Sequence, residues 1–126
     1  MKEENFSWKK RARSFKFAFA GIGRLVRCEH NARIHVAVTA GVLVAGFYFG
    51  LAAWEWAAVL LCIGGVLAAE AVNSAVEALA DRITTERDEA IKYAKDYASG
   101  GVLLMVIAAV IVGLIVFLPK FYELFI

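Results

Sequence analysis

Four polar residues follow an apolar run, 56–69, at helical spacing: Glu70, Asn73, Glu77 and Asp81. Steps of three, four and four put them on one stripe of an α-helix. The residues between them are mostly Ala, Val and Leu, with neither Pro nor Gly. A carboxylate that continues a membrane-grade apolar helix is costly and marks a functional group by default. Glu77 and Asp81 are like charges one turn apart, which is mildly destabilising on a bare helix. The stripe therefore asks for a cation: a Lys or Arg from elsewhere in the chain, or a divalent metal. Mg²⁺ suits it, being held by one or two carboxylates together with phosphate oxygens. The competing reading is packing, in which such side chains only bond neighbouring helices.

The rest of the chain must supply a scaffold for this stripe. The hydrophobic fraction is 61% over 126 residues, against about 45–50% in soluble domains. A soluble domain of this size has too little interior to hide that, so the sequence predicts one integral-membrane domain, all α-helical. The net charge of +2 matters less than its distribution. Lys9, Lys10, Arg11, Arg13, Lys16, Arg24, Arg27 and Arg33 precede or open the first long apolar run. Interleaved with Phe and Trp, they suit an anionic membrane surface, with no part for a nucleic acid. Cys28 and Cys62 fall at opposite membrane depths and have no metal-ligand spacing, so two separate thiols are expected.

Taken in order, residues 1–31 form a cytoplasmic surface helix, with Phe15, Phe19, Ile22 and Val26 as its apolar stripe. A cleaved signal peptide is not expected. The first span is 32–53, the second 54–83 with a cytoplasmic extension, then a charged loop 84–97 and a third span 98–119 that Pro119 ends. Gly46 and Gly50 make a weak GxxxG pattern. Trp54, Glu55 and Trp56 look like an outer interfacial belt. The first connection holds no Lys or Arg, which puts the N-terminus and the 82–97 loop inside. Counting from Trp54, about 20 residues use up the hydrocarbon. Glu70 then lies just within the inner boundary, with Glu77 and Asp81 among the headgroups. Glu29 is expected to bridge to Arg27 or Arg33, Asp88 to pair with Lys92, and His30 and His35 to reach headgroups. Phosphate-binding glycine loops and protein-kinase motifs are absent. The residues alone leave three readings open: an enzyme acting on a lipid head, a small proton-coupled transporter using Glu70, or a non-catalytic membrane scaffold.

The segment Glu70-x-x-Asn73-Ser74-Ala75-x-Glu77-Ala78-x-x-Asp81-Arg82 closely resembles the signature of the small bacterial membrane lipid kinases, the prokaryotic diacylglycerol kinase and undecaprenol kinase family. Ala94-Lys95-Asp96-x-x-Ser99-Gly100-x-Val102-Leu103 resembles that family's second motif. Ser14-Phe15 to Gly21 and Glu29-x-Asn31-x-Arg33-x-His35 resemble its N-terminal part, in the undecaprenol-type form. The resemblance implies an ATP- and Mg²⁺-dependent kinase of the bacterial cytoplasmic (inner) membrane. Its acceptor would be a lipid alcohol, undecaprenol or diacylglycerol, and it would work as a homotrimer. It further implies Glu70 as general base, with Glu29 and Glu77 holding the Mg²⁺ of ATP. Asn73 and Ser99 would contact the substrate. Lys95 and Asp96 would contact the nucleotide, with Glu86, Arg87 and Asp88 near its phosphates or sugar. Lys10 stands where the family often has an Arg that contacts substrate or nucleotide, and it keeps the charge but not the bidentate fork. Phe17 stands where some members have a Tyr beside the nucleotide.

Overall fold

The computed structural model describes residues 5–126, so residues 1–4 of the 1–31 surface segment lie outside the described residues. Four helices follow one another: α1 (Trp8–Cys28), α2 (His30–Phe49), α3 (Ala53–Ile83) and α4 (Glu89–Leu124). The last three are each long and apolar enough to cross a membrane.

Each helix end has a local cause. Ser7 caps α1, its hydroxyl accepting the Lys10 N–H at 3.4 Å. A single extended residue, Glu29 (φ −96°, ψ 118°), separates α1 from α2. Its N–H still closes on Leu25 and its carbonyl accepts from Arg33, so the chain turns with only one residue between helices. Gly50, at φ +67°, ends α2 in the left-handed conformation that favours glycine. Glu55 reaches back to accept the Ala52 N–H at 2.9 Å and so starts α3.

Two boundaries differ from the sequence expectation. The 84–97 loop is mostly helix, because Asp88 accepts the Ile91 N–H at 3.1 Å and caps a helix that begins at Glu89. With Asp88 so engaged, Lys92 turns forward to Asp96 at 2.7 Å, replacing the expected Asp88–Lys92 pair. Pro119 lies inside α4 and does not end it. Proline removes one backbone hydrogen bond, but near hydrocarbon little water competes for the flanking groups, so the helix resumes beyond it.

Helices α3 and α4 form the main packed pair. They run antiparallel: Asp81 of α3 meets Lys95 of α4 at one end, and Glu55 meets Lys120 at the other. The two bridges stand about 39 Å apart along α3 at 1.5 Å per residue. Between them the surfaces close without voids at Gly65, where an added Cβ would lie 2.8 Å from the Met105 sulfur. Hydrocarbon gives no hydrophobic drive for helix association, so small residues and polar ties carry it. Leu61, Leu104, Ile111 and Ile115 remain exposed on the single chain, as lipid-facing side chains do.

The GxxxG pattern has a different use from the one its spacing suggests. A Cβ on Gly46 would stand 2.7 Å from the Trp56 ring, so Gly46 makes room for that indole, while Gly50 is the helix stop. Trp56 packs on Phe47 with ring centroids 4.9 Å apart and joins a small core of Leu51, Val59 and Val116. Within the expected Trp54–Glu55–Trp56 belt, only Trp54 is well exposed.

Candidate active site

The stripe on α3 forms as its spacing predicts, and other helices supply partners to three of its four members. Glu70 is 3% exposed, and its Oε1 lies 3.1 Å from Nε2 of His35 on α2. Asn73 is also buried; its amide donates to Glu77 Oε1 at 3.2 Å, and its Oδ1 accepts from Ser99 Oγ of α4 at 3.5 Å. Asp81, exposed, accepts from Lys95 Nζ of α4 at 2.7 Å. Part of the cation the stripe asks for is thus Lys95. Glu77 is exposed, and among the described residues its hydrogen bond is to Asn73 of its own helix. One helix face therefore runs from a buried acid to exposed acids over about 16 Å.

Glu29 stands apart from this row. The expected bridge to Arg27 or Arg33 does not form among the described residues. Arg27 donates to the Gly23 carbonyl at 3.2 Å, and Arg33 donates to the carbonyls of Val26 (3.1 Å) and Arg27. The Val26 and Arg27 carbonyls lie past the last intrahelical donor of α1, and the Arg33 guanidinium fork suits them. The Glu29 carboxylate is left half-buried beside a cavity of about 430 Å³, shared with Arg24, Ala71, Ser74 and Ala78. Ala71, Ser74 and Ala78 each sit one position after Glu70, Asn73 and Glu77, hence about 100° round α3. Glu29, between α1 and α2, accordingly faces the side of α3 next to the one that carries Glu77. Among the described residues no three His, Cys, Asp or Glu side chains gather closely enough to cage a metal. Separate, accessible carboxylates fit a hard cation that takes its other ligands from phosphate and water.

The remaining candidates are spread along the same end of the molecule. Lys10 and Phe17 lie on exposed turns of α1. Glu86 and Arg87 are exposed in the short α3–α4 connection, where the Glu86 N–H donates to Thr84 Oγ1 at 3.0 Å. Asp88 has a structural duty as the α4 cap, and Asp96 is engaged with Lys92. The contact that sequence reasoning missed is His35, expected at the headgroups and found on Glu70. The available signal was its place one turn inside an apolar helix, where a polar ring is as costly as Glu70.

Beside Glu70 an apolar cleft of about 260 Å³ opens between α2, α3 and α4. His35 and Val66 stand at its Glu70 end, and Val42, Val59 and Phe117 lie further from it. A buried acid bonded to a residue of the apolar cleft, with exposed acids and a lysine beyond, suits a lipid whose polar end must react. Residues 16–117 match the family model described as prokaryotic diacylglycerol kinase. The chain belongs to that family. It is 39% identical over 108 residues to an undecaprenol kinase of Bacillus subtilis, covering 86% of this chain and 88% of that protein. It is 37% identical over 112 residues to a diacylglycerol kinase of a Synechocystis species, covering 88% of this chain and 64% of that one. This family member is a lipid kinase with membrane-spanning helices. The matched segment includes every candidate site residue except Lys10.

Proposed function

We propose that this lipid kinase transfers the γ-phosphate of ATP, with Mg²⁺, to the hydroxyl of undecaprenol at the cytoplasmic face of the inner membrane. The observation that carries the reading is the split of one α3 stripe. Glu70 is buried against His35, which lines an apolar cleft, while Glu77 is exposed about 10 Å further along. A lipid hydroxyl reaches the first from the membrane, and ATP reaches the second from water.

In the reaction the hydroxyl proton passes to Glu70 as the lipid oxygen bonds the γ-phosphorus. The bond from that phosphorus to the bridging oxygen breaks, and ADP leaves. Glu70 is the general base and needs hydrogen-bond reach to the hydroxyl. Mg²⁺, when bound, neutralises charge on the phosphate oxygens. Glu77 and Glu29 are its proposed carboxylate ligands. Lys95 and Asp96 address the nucleotide, with Glu86, Arg87 and Asp88 nearby, and Phe17 flanks it. Lys10 adds positive charge for phosphates. Asn73 and Ser99 align the lipid head. The basic, aromatic α1 lies on the membrane surface with the N-terminus cytoplasmic. A homotrimer is the proposed assembly, since one chain leaves Glu77 open on its α3 face.

Undecaprenol is preferred to diacylglycerol on the similarity to the Bacillus subtilis undecaprenol kinase, which this chain spans more fully. The test supplies purified protein with labelled ATP, Mg²⁺ and each lipid alcohol in mixed micelles. Label in undecaprenyl phosphate is expected, at a kcat/KM above that for diacylglycerol. The reverse order reassigns the substrate, and no lipid phosphate from either alcohol refutes the reading.

A further inference from the structure

We infer that His35 is a positioning residue for the base, donating Nε2–H to Oε1 of Glu70 and so presenting Oε2 to the lipid hydroxyl. The inference rests on the proposed role of Glu70 as proton acceptor.

Four observations carry it. Glu70 is 3% exposed, and a carboxylate that buried is costly unless it is bonded. His35, at 3.1 Å, is the partner it has. A carboxylate acting as base only accepts, and the proposal therefore assigns the proton of this contact to Nε2. Secondly, among the described residues no fully buried side-chain oxygen or nitrogen lacks a partner. Among the described residues Oε2 makes no bond, so it is not fully enclosed and is the oxygen left for substrate.

Thirdly, the other donors near this end of the stripe are committed elsewhere. The Asn73 amide donates to Glu77. Arg33, two residues before His35, donates to the end of α1. Fourthly, His35 is itself held and shared. The Thr39 hydroxyl bonds its carbonyl at 2.7 Å, and its ring also lines the apolar cleft. One side chain thus touches both the carboxylate and the channel offered to a hydrocarbon chain. It fixes the base, on α3, relative to a lipid lying between α2, α3 and α4. The substrate proton goes to Oε2, and Nε2–H keeps donating to Oε1 throughout, so His35 itself gains and loses nothing.

The test uses the full chain in micelles with three substitutions. His35→Gln keeps a donor near the same reach, His35→Asn keeps the polarity but falls short, and His35→Leu removes the donor. Misplacing a catalytic group by about 1 Å costs roughly 100-fold. The Leu and Asn variants should therefore lose roughly 10–100-fold in kcat with KM for ATP unchanged, and Gln should stay within a few-fold of the unmodified chain. If Leu does not fold, the Gln–Asn contrast decides alone. Equal loss in Gln and Asn, no loss in any variant, or a rise confined to the KM for ATP would each overturn the inference. The ¹⁵N resonance of His35 gives a readout independent of turnover: it should report a protonated Nε2 and move on Glu70→Gln. A chain that phosphorylates no lipid refutes the kinase chemistry, whereas an active chain without the Gln–Asn contrast refutes His35 alone.

Discussion

Lys95 Nζ lies 2.7 Å from Asp81 Oδ1, joining the last turns of α3 to the first turns of α4. The lysine proposed to meet ATP is thus already held by a carboxylate of the acidic stripe. Both side chains are substantially exposed, at 39% and 65%, so the pair is weak and open to exchange. An arriving phosphate can take Lys95 from Asp81 at little cost.

Lys95→Ala should raise the KM for ATP by roughly 10-fold or more, since charge-assisted bonds to phosphate are among the stronger ones. Asp81→Asn should lower that KM by no more than about 5-fold, because it removes only a weak competitor. ATP titrations at saturating lipid check both. An unchanged KM in Lys95→Ala would remove the nucleotide role.

Glu70→Gln should lower kcat by roughly 100-fold to 10,000-fold, the span of a lost general base. The substitution keeps shape and removes a buried charge, so the assembled protein should elute in detergent as before. A variant with near-normal kcat would show that the hydroxyl proton goes elsewhere.

Glu77→Gln should raise the Mg²⁺ concentration for half-maximal activity several-fold, and chelation should abolish activity in the unmodified chain. Exposed Glu77 and half-buried Glu29 share this proposed duty, so Glu29→Gln should shift the same titration. Flat metal curves in both variants would reassign them.

Gly46→Ala should destabilise the protein by about 1–3 kcal/mol, the usual cost of forcing an atom into a packed site. Its new Cβ would stand 2.7 Å from the Trp56 ring. Gly64→Ala has open space around it and should be neutral or slightly stabilising. Thermal unfolding in detergent compares the two, and equal midpoints would contradict the close packing of Gly46 on Trp56.

The polar stripe of the candidate site was readable because one helix carries all of it. Spacing alone places Glu70, Asn73, Glu77 and Asp81 in a row, and α3 ends at Ile83 as its pattern implies. What was not readable depends on how one helix faces another. The His35–Glu70 contact needs α2 and α3 at a common depth, and the Asn73–Ser99 contact needs the register of α4. Glu29 was misjudged because nearness in sequence suggested an ion pair, whereas unsatisfied helix carbonyls compete for the same guanidinium. The 84–97 boundary failed for another reason. Hydropathy reports where the membrane stops, and a charged helix such as the start of α4 continues past that point.

The packed α3–α4 pair, bridged at both ends, has the length of a strut. The part-buried Glu55–Lys120 bridge and the close approach of Met105 to Gly65 oppose sliding of either helix along the other, and the exposed Asp81–Lys95 pair adds little to that. The separation of the two bridges, about 39 Å, exceeds a typical hydrocarbon thickness of about 30 Å. A thinner bilayer must then be met by tilting the strut as one body, and a thicker one by standing it upright. Tilt moves Glu70 relative to the headgroups. Acyl-chain length in the host membrane thus becomes a dial on how well the base meets its lipid.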